Sequence, residues 1–503
     1  MIVMKFGGAS LASPASIKQV ASIVHSQVER NPVVVVSALG DTTDHLLGIV
    51  EHASRAESYL AWKLQEQVRT YHFCIAEDLL SQDRLEAIDA YIRQTFRDLH
   101  VRILEVCEGE RSITPELRDW VASLGEELSS RIVVAALQES GLNATHIDST
   151  KLIVTDEHFT NATPRYWETY ARIRWSVPQA ARTHVVVLAG FIGAAENGRT
   201  TTLGRGGSDL TASVVGAAVN ADEIQVWKDV DGMLTWDPKI KTGGYRVKSL
   251  SYQEAGELAQ AGATILHPDT IAPAQRLRIP VIIRNTFRPD AEGTRIDTGK
   301  VACCNPVKSI ACQTNITVIE LRSPSADGTV AEYFPAIEQI CGEQKAATLL
   351  GISEDVIYLG LESNGRDPDF AVARGQCLKV HVRSSQAIIT LVGQGLTRCN
   401  VVARLSALLN QRWALILPQN RESCSVRIVC PQKHLATYVD ILQRTFFADV
   451  DPLFFASAEC APEGRQIQKS SRTCVAREQQ VFEMLAHKHT AQRESWQGES
   501  MSG

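Results

Sequence analysis

The chain has 503 residues, 44% of them hydrophobic, and 51 Lys and Arg against 57 Asp and Glu leave a net charge of −6. That length suits about three domains with substantial cores, while mild acidity without a basic tract argues against nucleic acid as the main partner. No run approaches the ~18 uninterrupted apolar residues of a membrane span, and the 12 cysteines lie scattered without a Cys-x-x-Cys pair, against a zinc site or a disulfide scaffold.

In chain order, Met1 leads straight into the apolar stretch 2–6 and a glycine pair rather than a secretory leader, so the cytoplasm is the expected compartment. Residues 2–6, 33–36, 185–189, 224–227 and 281–283 read as strands whose apolar runs are continuous rather than alternating. Such strands are covered on both faces, as in a parallel sheet. Residues 13–28 and 209–219 read as helices after two glycine loops, and 45–139 read as a helical insertion that Ser123-Leu124-Gly125-Glu126-Glu127 interrupts. The expected fold class for residues 1–300 is therefore α/β, with a largely parallel sheet between helical layers. Residues 301–312 read as a linker. Two similar units follow, 313–385 and 386–458, each a strand, a glycine loop, a helix and further strands. The last strand of the second can return to the first. Residues 461–503 are polar with few apolar anchors and are expected to be disordered.

The chemistry concentrates in a few loops. Lys5-Phe6-Gly7-Gly8 ends a strand with an ammonium beside backbone N–H groups, a setting for phosphate oxygens that a plain turn would also explain. Thr200-Thr201-Thr202-Leu203-Gly204-Arg205-Gly206-Gly207-Ser208-Asp209 is more specific. It surrounds one arginine, able to clamp a carboxylate or phosphate, with flexible backbone and an aspartate able to orient a cation. No Gly-x-x-x-x-Gly-Lys-Ser/Thr loop is present. Ser37, Thr42 and Thr43 follow the second strand, where ligands of open α/β sheets bind, and Asp41 or Asp44 could instead cap the next helix. Glu126 beside Gly125 suits a substrate ammonium or a solvated helix face. Trp227-Lys228-Asp229-Val230-Asp231-Gly232 with Leu234 and Lys239 combines a strand end with an acidic turn, which serves a nucleotide or turn geometry alone.

Together with Ser251-Tyr252-Gln253-Glu254-Ala255, Leu266-His267-Pro268 and Pro280, these motifs resemble the aspartokinases of the amino acid kinase superfamily over roughly residues 1–458. The paired C-terminal units look like the ACT domains with which that family senses end-product amino acids. The resemblance implies the reaction of L-aspartate with ATP to give 4-phospho-L-aspartate and ADP, the first step toward lysine or diaminopimelate, threonine and methionine. It implies Lys5 and Asp209 as the catalytic pair, Lys5 on the transferring group and Asp209 orienting it. Substrate contacts fall to Ser37, Thr42, Thr43, Glu126, Arg205, Gly206, Gly207 and Ser208, with Arg205 on the α-carboxylate and Glu126 on the α-ammonium. ATP contacts fall to Lys5, Phe6, Gly7, Gly8, Lys228, Asp229, Leu234, Lys239 and Thr264. Magnesium is expected on the ATP phosphates, with no dedicated protein metal site. Thr264 departs from the family, many of whose members carry a lysine there and some a glutamine, so retained activity with weaker ATP binding, Lys228 compensating, is expected.

The family also binds lysine or threonine between ACT units, typically across subunits. Ala326, Thr329, Val330, Ser353 and Glu354 fall where such contacts would lie, though a polar loop and a β-turn explain them equally. A homo-oligomer, dimer or tetramer, built through these units is implied. Acetylglutamate, glutamate and uridylate kinases share the superfamily fold, but the C-terminal pair and Gly125-Glu126 argue against them. A further alternative, prompted by Thr264, is an amino-acid-sensing regulatory subunit with weakened kinase activity.

Overall fold

The computed structural model describes residues 1–237, 240–241, 243–262, 268–299, 303–322, 347–352, 356–362, 379–394, 396, 400–409, 414–417 and 423–457. The N-terminal strands are β1 Ile2–Phe6, β2 Pro32–Val36, β3 Ala144–Ile147, β4 Val154–Thr155, β5 Val185–Ala189 and β6 Ile192–Ala195. They continue with β7 Thr200–Thr202, β8 Glu223–Lys228, β9 Tyr245–Val247, β10 Ser249–Ser251, β11 Val281–Asn285 and β12 Thr294–Asp297. Eight of them form one sheet in the order β10-β12-β11-β8-β1-β2-β5-β3. Every neighbouring pair is parallel except β11 with β12. The continuous apolar runs have a direct cause. Ile2, Met4, Phe6, Val34 and Val36 fill one core, and Val3, Val33 and Val35 fill the other. Alternate side chains leave opposite faces of a strand, so a sheet covered twice has no position for water.

The helices are α1 Pro14–His25, α2 Thr42–Ser54, α3 Ser58–Leu79, α4 Gln82–Cys107, α5 Pro115–Glu139, α6 Ser149–Leu152, α7 Tyr166–Ala180, α8 Gly207–Val219, α9 Tyr252–Gln260 and α10 Pro268–Leu277. Ser13 opens α1 with a capping box to Ser16, which places the start of this helix firmly after the first glycine loop. Helices α2 to α5 form the insertion around their own core, including Leu46, Val68, Ile92, Leu99, Val121 and Leu128. One expectation fails here: α5 runs unbroken through Ser123–Glu127. Gly125 serves close packing rather than a break, because a Cβ there would stand 2.9 Å from Ala38 Cβ. The ~1 kcal/mol that glycine costs inside a helix is offset by that approach. Asp41 occupies the position before α2 but makes no side-chain cap bond.

Among the described residues, the second unit is a six-stranded antiparallel sheet. Its strands are β13 Ser309–Arg322, β14 Ala347–Ile352, β15 Val356–Glu362, β16 Lys379–Val392, β17 Leu415–Ile416 and β18 Ser425–Pro431, in the order β14-β15-β13-β16-β18-β17. The two long strands β13 and β16 pair along their length and join the two expected modules into one sheet. The expected boundary at 385/386 lies within β16, and the expected linker ends inside β13. Helices Val401–Leu409 and Leu435–Phe446 bury Leu405, Leu409, Leu435 and Leu442 in the same core as Ile389 and Leu391. The chain then returns to the N-terminal unit: β19, Phe455–Ser457, pairs antiparallel with β9. The Phe447 ring sits edge-on to Trp236 at 5.7 Å. The helix expected in the first of the two modules and the tail 461–503 lie outside the described residues. Among the described residues, no helix is long and apolar enough to cross a membrane.

Candidate active site

Parallel pairing on both sides places the first glycine loop at the end of an interior strand of the eight-stranded sheet. Lys5 in β1 lies opposite Val226 in β8, and Lys228, two residues further along β8, leaves the same face. Both ammonium groups reach Asp209 in the first turn of α8. Lys5 Nζ lies 2.6 Å from Oδ1, and Lys228 Nζ lies 3.4 Å from Oδ2. Burial alone would raise the Asp209 carboxyl, but the two lysines outweigh it and hold the group below the ordinary carboxylate range. Burial depresses Lys228, opposed by Asp209 and reinforced by Lys5. The two ammonium groups converge on Asp209 beside a helix N-terminus, where an anion is favoured.

At several points around this cluster the backbone leaves no room for a side chain. A Cβ on Gly8 would stand 2.7 Å from the Gly40 carbonyl oxygen and 3.1 Å from that of Ala38. Gly40 N donates to Gly8 O at 3.1 Å, locking the loop after β2 onto the loop after β1. At the head of α8, Gly204 and Gly206 have φ of +70° and +77°, a left-handed conformation that disfavours other residues. A Cβ on Gly207 would come within 2.7 Å of the Phe191 ring.

These loops border a cavity of about 840 Å³ that collects Lys5, Gly8, Ser37, Thr43, Glu126, Arg205, Gly206, Gly207, Ser208, Asp209 and Lys228. Arg205 is exposed at this wall, whereas Glu126 is only 4% exposed. Burial pushes the Glu126 carboxyl up to about 8, against the weaker pull of backbone N–H groups and Lys5. Its Oε2 has no hydrogen-bond partner among the described residues. A buried acceptor left empty is costly, and a cationic group entering the cavity would satisfy it.

Other expected residues stand behind the wall. Phe6 is buried and stacks on Trp227 at 5.9 Å, and Gly7 N donates to Trp227 O at 3.1 Å. Thr42 Oγ1 donates to Leu39 O at 2.6 Å. Leu234 O accepts from Ser309 Oγ at 2.7 Å, and neither Leu234 nor the exposed Asp229 lines the cavity. Lys239, Thr264, Ala326, Thr329, Val330, Ser353 and Glu354 lie outside the described residues. Besides Thr202 of the threonine run already singled out, the lining includes residues that sequence reasoning missed: Arg118, Asp119, Thr160 and Phe191, with Gln313, Thr348 and Glu362 from the second sheet. Arg118, Ala122 and Glu126 recur at every fourth position of α5 and share a helix face, a spacing visible in the sequence. The contribution of the second sheet has no local signature. Among the described residues, no group of three or more His, Cys, Asp or Glu converges to hold a metal ion.

Three kinds of similarity agree with this geometry. A model of the amino acid kinase family matches residues 1–285. Aspartokinase 1, chloroplastic, of Arabidopsis thaliana is 35% identical over 368 residues, covering 71% of this chain and 61% of its own length. The chain thus spans less than two thirds of that relative. The lysine-sensitive aspartokinase 3 of Escherichia coli K12 is 29% identical over 420 residues, 80% of this chain and 89% of that protein. Among solved structures, E. coli aspartokinase III in complex with aspartate and ADP superposes with a TM-score of 0.76 at 26% identity, over 89% of this chain and 100% of that one. The same enzyme with lysine and aspartate gives 0.72 at 27% identity, over 89% of this chain and 99% of that one. The parallel sheet, the glycine loops around Lys5 and Asp209 and the family match over more than half of the sequence lead to one conclusion: the chain belongs to the amino acid kinase family.

Proposed function

We propose that this chain is an aspartate kinase, transferring the γ-phosphoryl group of ATP to the side-chain carboxylate of L-aspartate. One observation carries the reading: a single cavity presents Lys5 and Lys228, gathered by Asp209 at the N-terminus of α8, together with Glu126 and Arg205. The relatives named aspartokinase and the E. coli structure holding aspartate and ADP support it.

The substrate carboxylate is ionised at neutral pH, so no general base is required. Its oxygen attacks the γ-phosphorus in line, the new O–P bond forms, and the bond to the bridging oxygen breaks with its electron pair leaving on ADP. Catalysis then rests on placement and charge. Lys5 stabilises the oxygens of the transferring group, and Asp209 keeps the Lys5 ammonium at the site. Glu126 takes the α-ammonium, Arg205 the α-carboxylate, and Ser37, Thr43 and Ser208 add hydrogen bonds. Asp209 is committed to two lysines, and among the described residues no group of three or more His, Cys, Asp or Glu converges on a metal position. Magnesium would therefore arrive on the nucleotide phosphates, where it neutralises charge.

The second sheet borders the same cavity through Gln313, Thr348 and Glu362. With the ACT-like arrangement, and with lysine bound in one of the E. coli structures, this supports an amino-acid effector; a homo-oligomer formed through the second unit is part of the same proposal. The test is an aspartyl-phosphate assay with aspartate, glutamate, acetylglutamate and uridylate as acceptors, run with and without lysine and threonine. Turnover confined to aspartate is expected. Preference for another acceptor, or ligand binding without turnover, overturns the reading.

A further inference from the structure

We infer that Asp119 is a positioning residue, whose carboxylate ties the helix carrying Glu126 to the loop carrying Arg205 and so fixes the span across which an amino-acid substrate is held. The inference rests on the proposed roles of Glu126 and Arg205.

Asp119 sits on α5 about two turns before Glu126 and is 1% exposed. Both of its oxygens are fully engaged. Thr160 N donates to Oδ1 and Oδ2, each at 2.9 Å. Thr202 N donates to Oδ2 at 2.9 Å, and Thr202 Oγ1 donates to Oδ1 at 2.7 Å. No ion pair to Asp119 occurs among the described residues. Burial pushes its carboxyl up, and these bonds pull the other way. A buried carboxylate held only by dipoles demands that all its donors stay in place.

The donors lead directly to Arg205. Thr202 ends β7, and Thr160 belongs to the turn that packs over Gly204. Thr160 has φ of +71°, a strained choice for a β-branched residue. Ala162 N donates to Thr202 O at 2.8 Å, closing the turn onto β7. A Cβ on Gly204 would collide with Asn161 Oδ1 and stand 3.3 Å from Thr160 O. The turn at 158–162 therefore clamps Gly204 from outside, and Asp119 clamps the turn. A carboxylate suits this place because it only accepts. An amide would set its NH₂ against N–H donors that cannot reverse.

The experiment uses the full chain with Asp119→Asn. The expected result is an aspartate KM raised about ten-fold or more while the ATP KM stays within about two-fold. Amide hydrogen exchange across 156–163 and 200–206 is expected to quicken about ten-fold, with β1 and β2 unchanged. Equal rises in both KM values, or faster exchange throughout the molecule, mean a merely structural role and overturn the inference. Unchanged exchange in those two segments also overturns it. If wild type binds aspartate without turnover, the kinase reading fails alone. Calorimetric Kd values for wild type and Asp119→Asn then decide, a ten-fold weakening supporting the inference and equal values overturning it. Absence of aspartate binding by wild type removes the kinase reading and, with it, this inference.

Discussion

Glu126 carries a burial cost. Its carboxyl is raised from 4.5 to about 8 by burial. Between those values the folded chain binds more protons than the unfolded chain, so this residue lowers stability as pH rises through that window. Above about pH 8 the full penalty of a buried anion is present. Glu126→Gln should therefore melt higher than wild type at pH 9, by at least about 2 °C, and show little difference near pH 5. Scanning calorimetry of both proteins across that range checks it, and a difference independent of pH refutes it. The same variant should lose most aspartate affinity, because the amide oxygen still accepts from an ammonium but carries no charge to match it. Lys5 is the opposite case, a charge held ready for a group that develops negative character. Lys5→Met should lower kcat by about 10²–10³-fold, the scale for one donor aimed at developing charge, with a smaller change in either KM. Steady-state kinetics with both substrates varied separates these effects.

At the level of elements, the glycine loops were legible because each has a stereochemical reason. Gly204 and Gly206 need positive φ, and Gly8 must pass against carbonyls of the neighbouring loop. Gly8→Ala is thus expected to destabilise by about 1–3 kcal/mol, the cost of forcing a methyl into packed backbone. Gly198→Ala provides the control: its φ is +81°, yet nothing lies within 4 Å of the added Cβ, so only about 1 kcal/mol of backbone strain is expected. Urea denaturation of the two variants checks the ordering. The β1, β2, β5, β8 and β11 strands were readable from continuous apolar runs for an equally simple reason, burial on both faces. The course of α5 was not. A glycine beside two glutamates looks like a break until Ala38, from a distant loop, explains the missing side chain. Asp119 was invisible for the same reason, since its donors Thr160 and Thr202 come from elsewhere in the chain.

At the scale of the whole molecule, α9 stands between the cavity and the second sheet. Its C-terminal end supplies Ala259 and Gln260 to the cavity wall, followed by Gly262. Its N-terminal end is fixed by Ser251 and Glu254 in a capping box. Glu254 also forms a fully buried ion pair, with Lys308 Nζ 2.9 Å from Oε2 and the two side chains 1% and 0% exposed. Farther along, Glu257 accepts from Ser425 Oγ of β18 at 2.8 Å. A shift of the second sheet would thus be transmitted to α9 through Glu254 and Glu257, and α9 would carry it to the cavity. The pair at Lys308 is a costly joint to break, because separating buried partners leaves an uncompensated charge. Lys308→Met should cost about 3–5 kcal/mol. Adding Glu254→Gln should recover part of that loss, since the amide oxygen can still accept from Ser251 N while no charge remains. If α9 transmits the state of the second sheet, the double variant should keep turnover while its response to an amino-acid effector weakens. Paired denaturation and inhibition curves for the single and double variants test both halves. Additive stability losses would mean that the pair is not coupled. An unaltered effector response in the double variant would mean that the signal reaches the cavity by another route, with Gln313, Thr348 and Glu362, which border it directly, the next residues to probe.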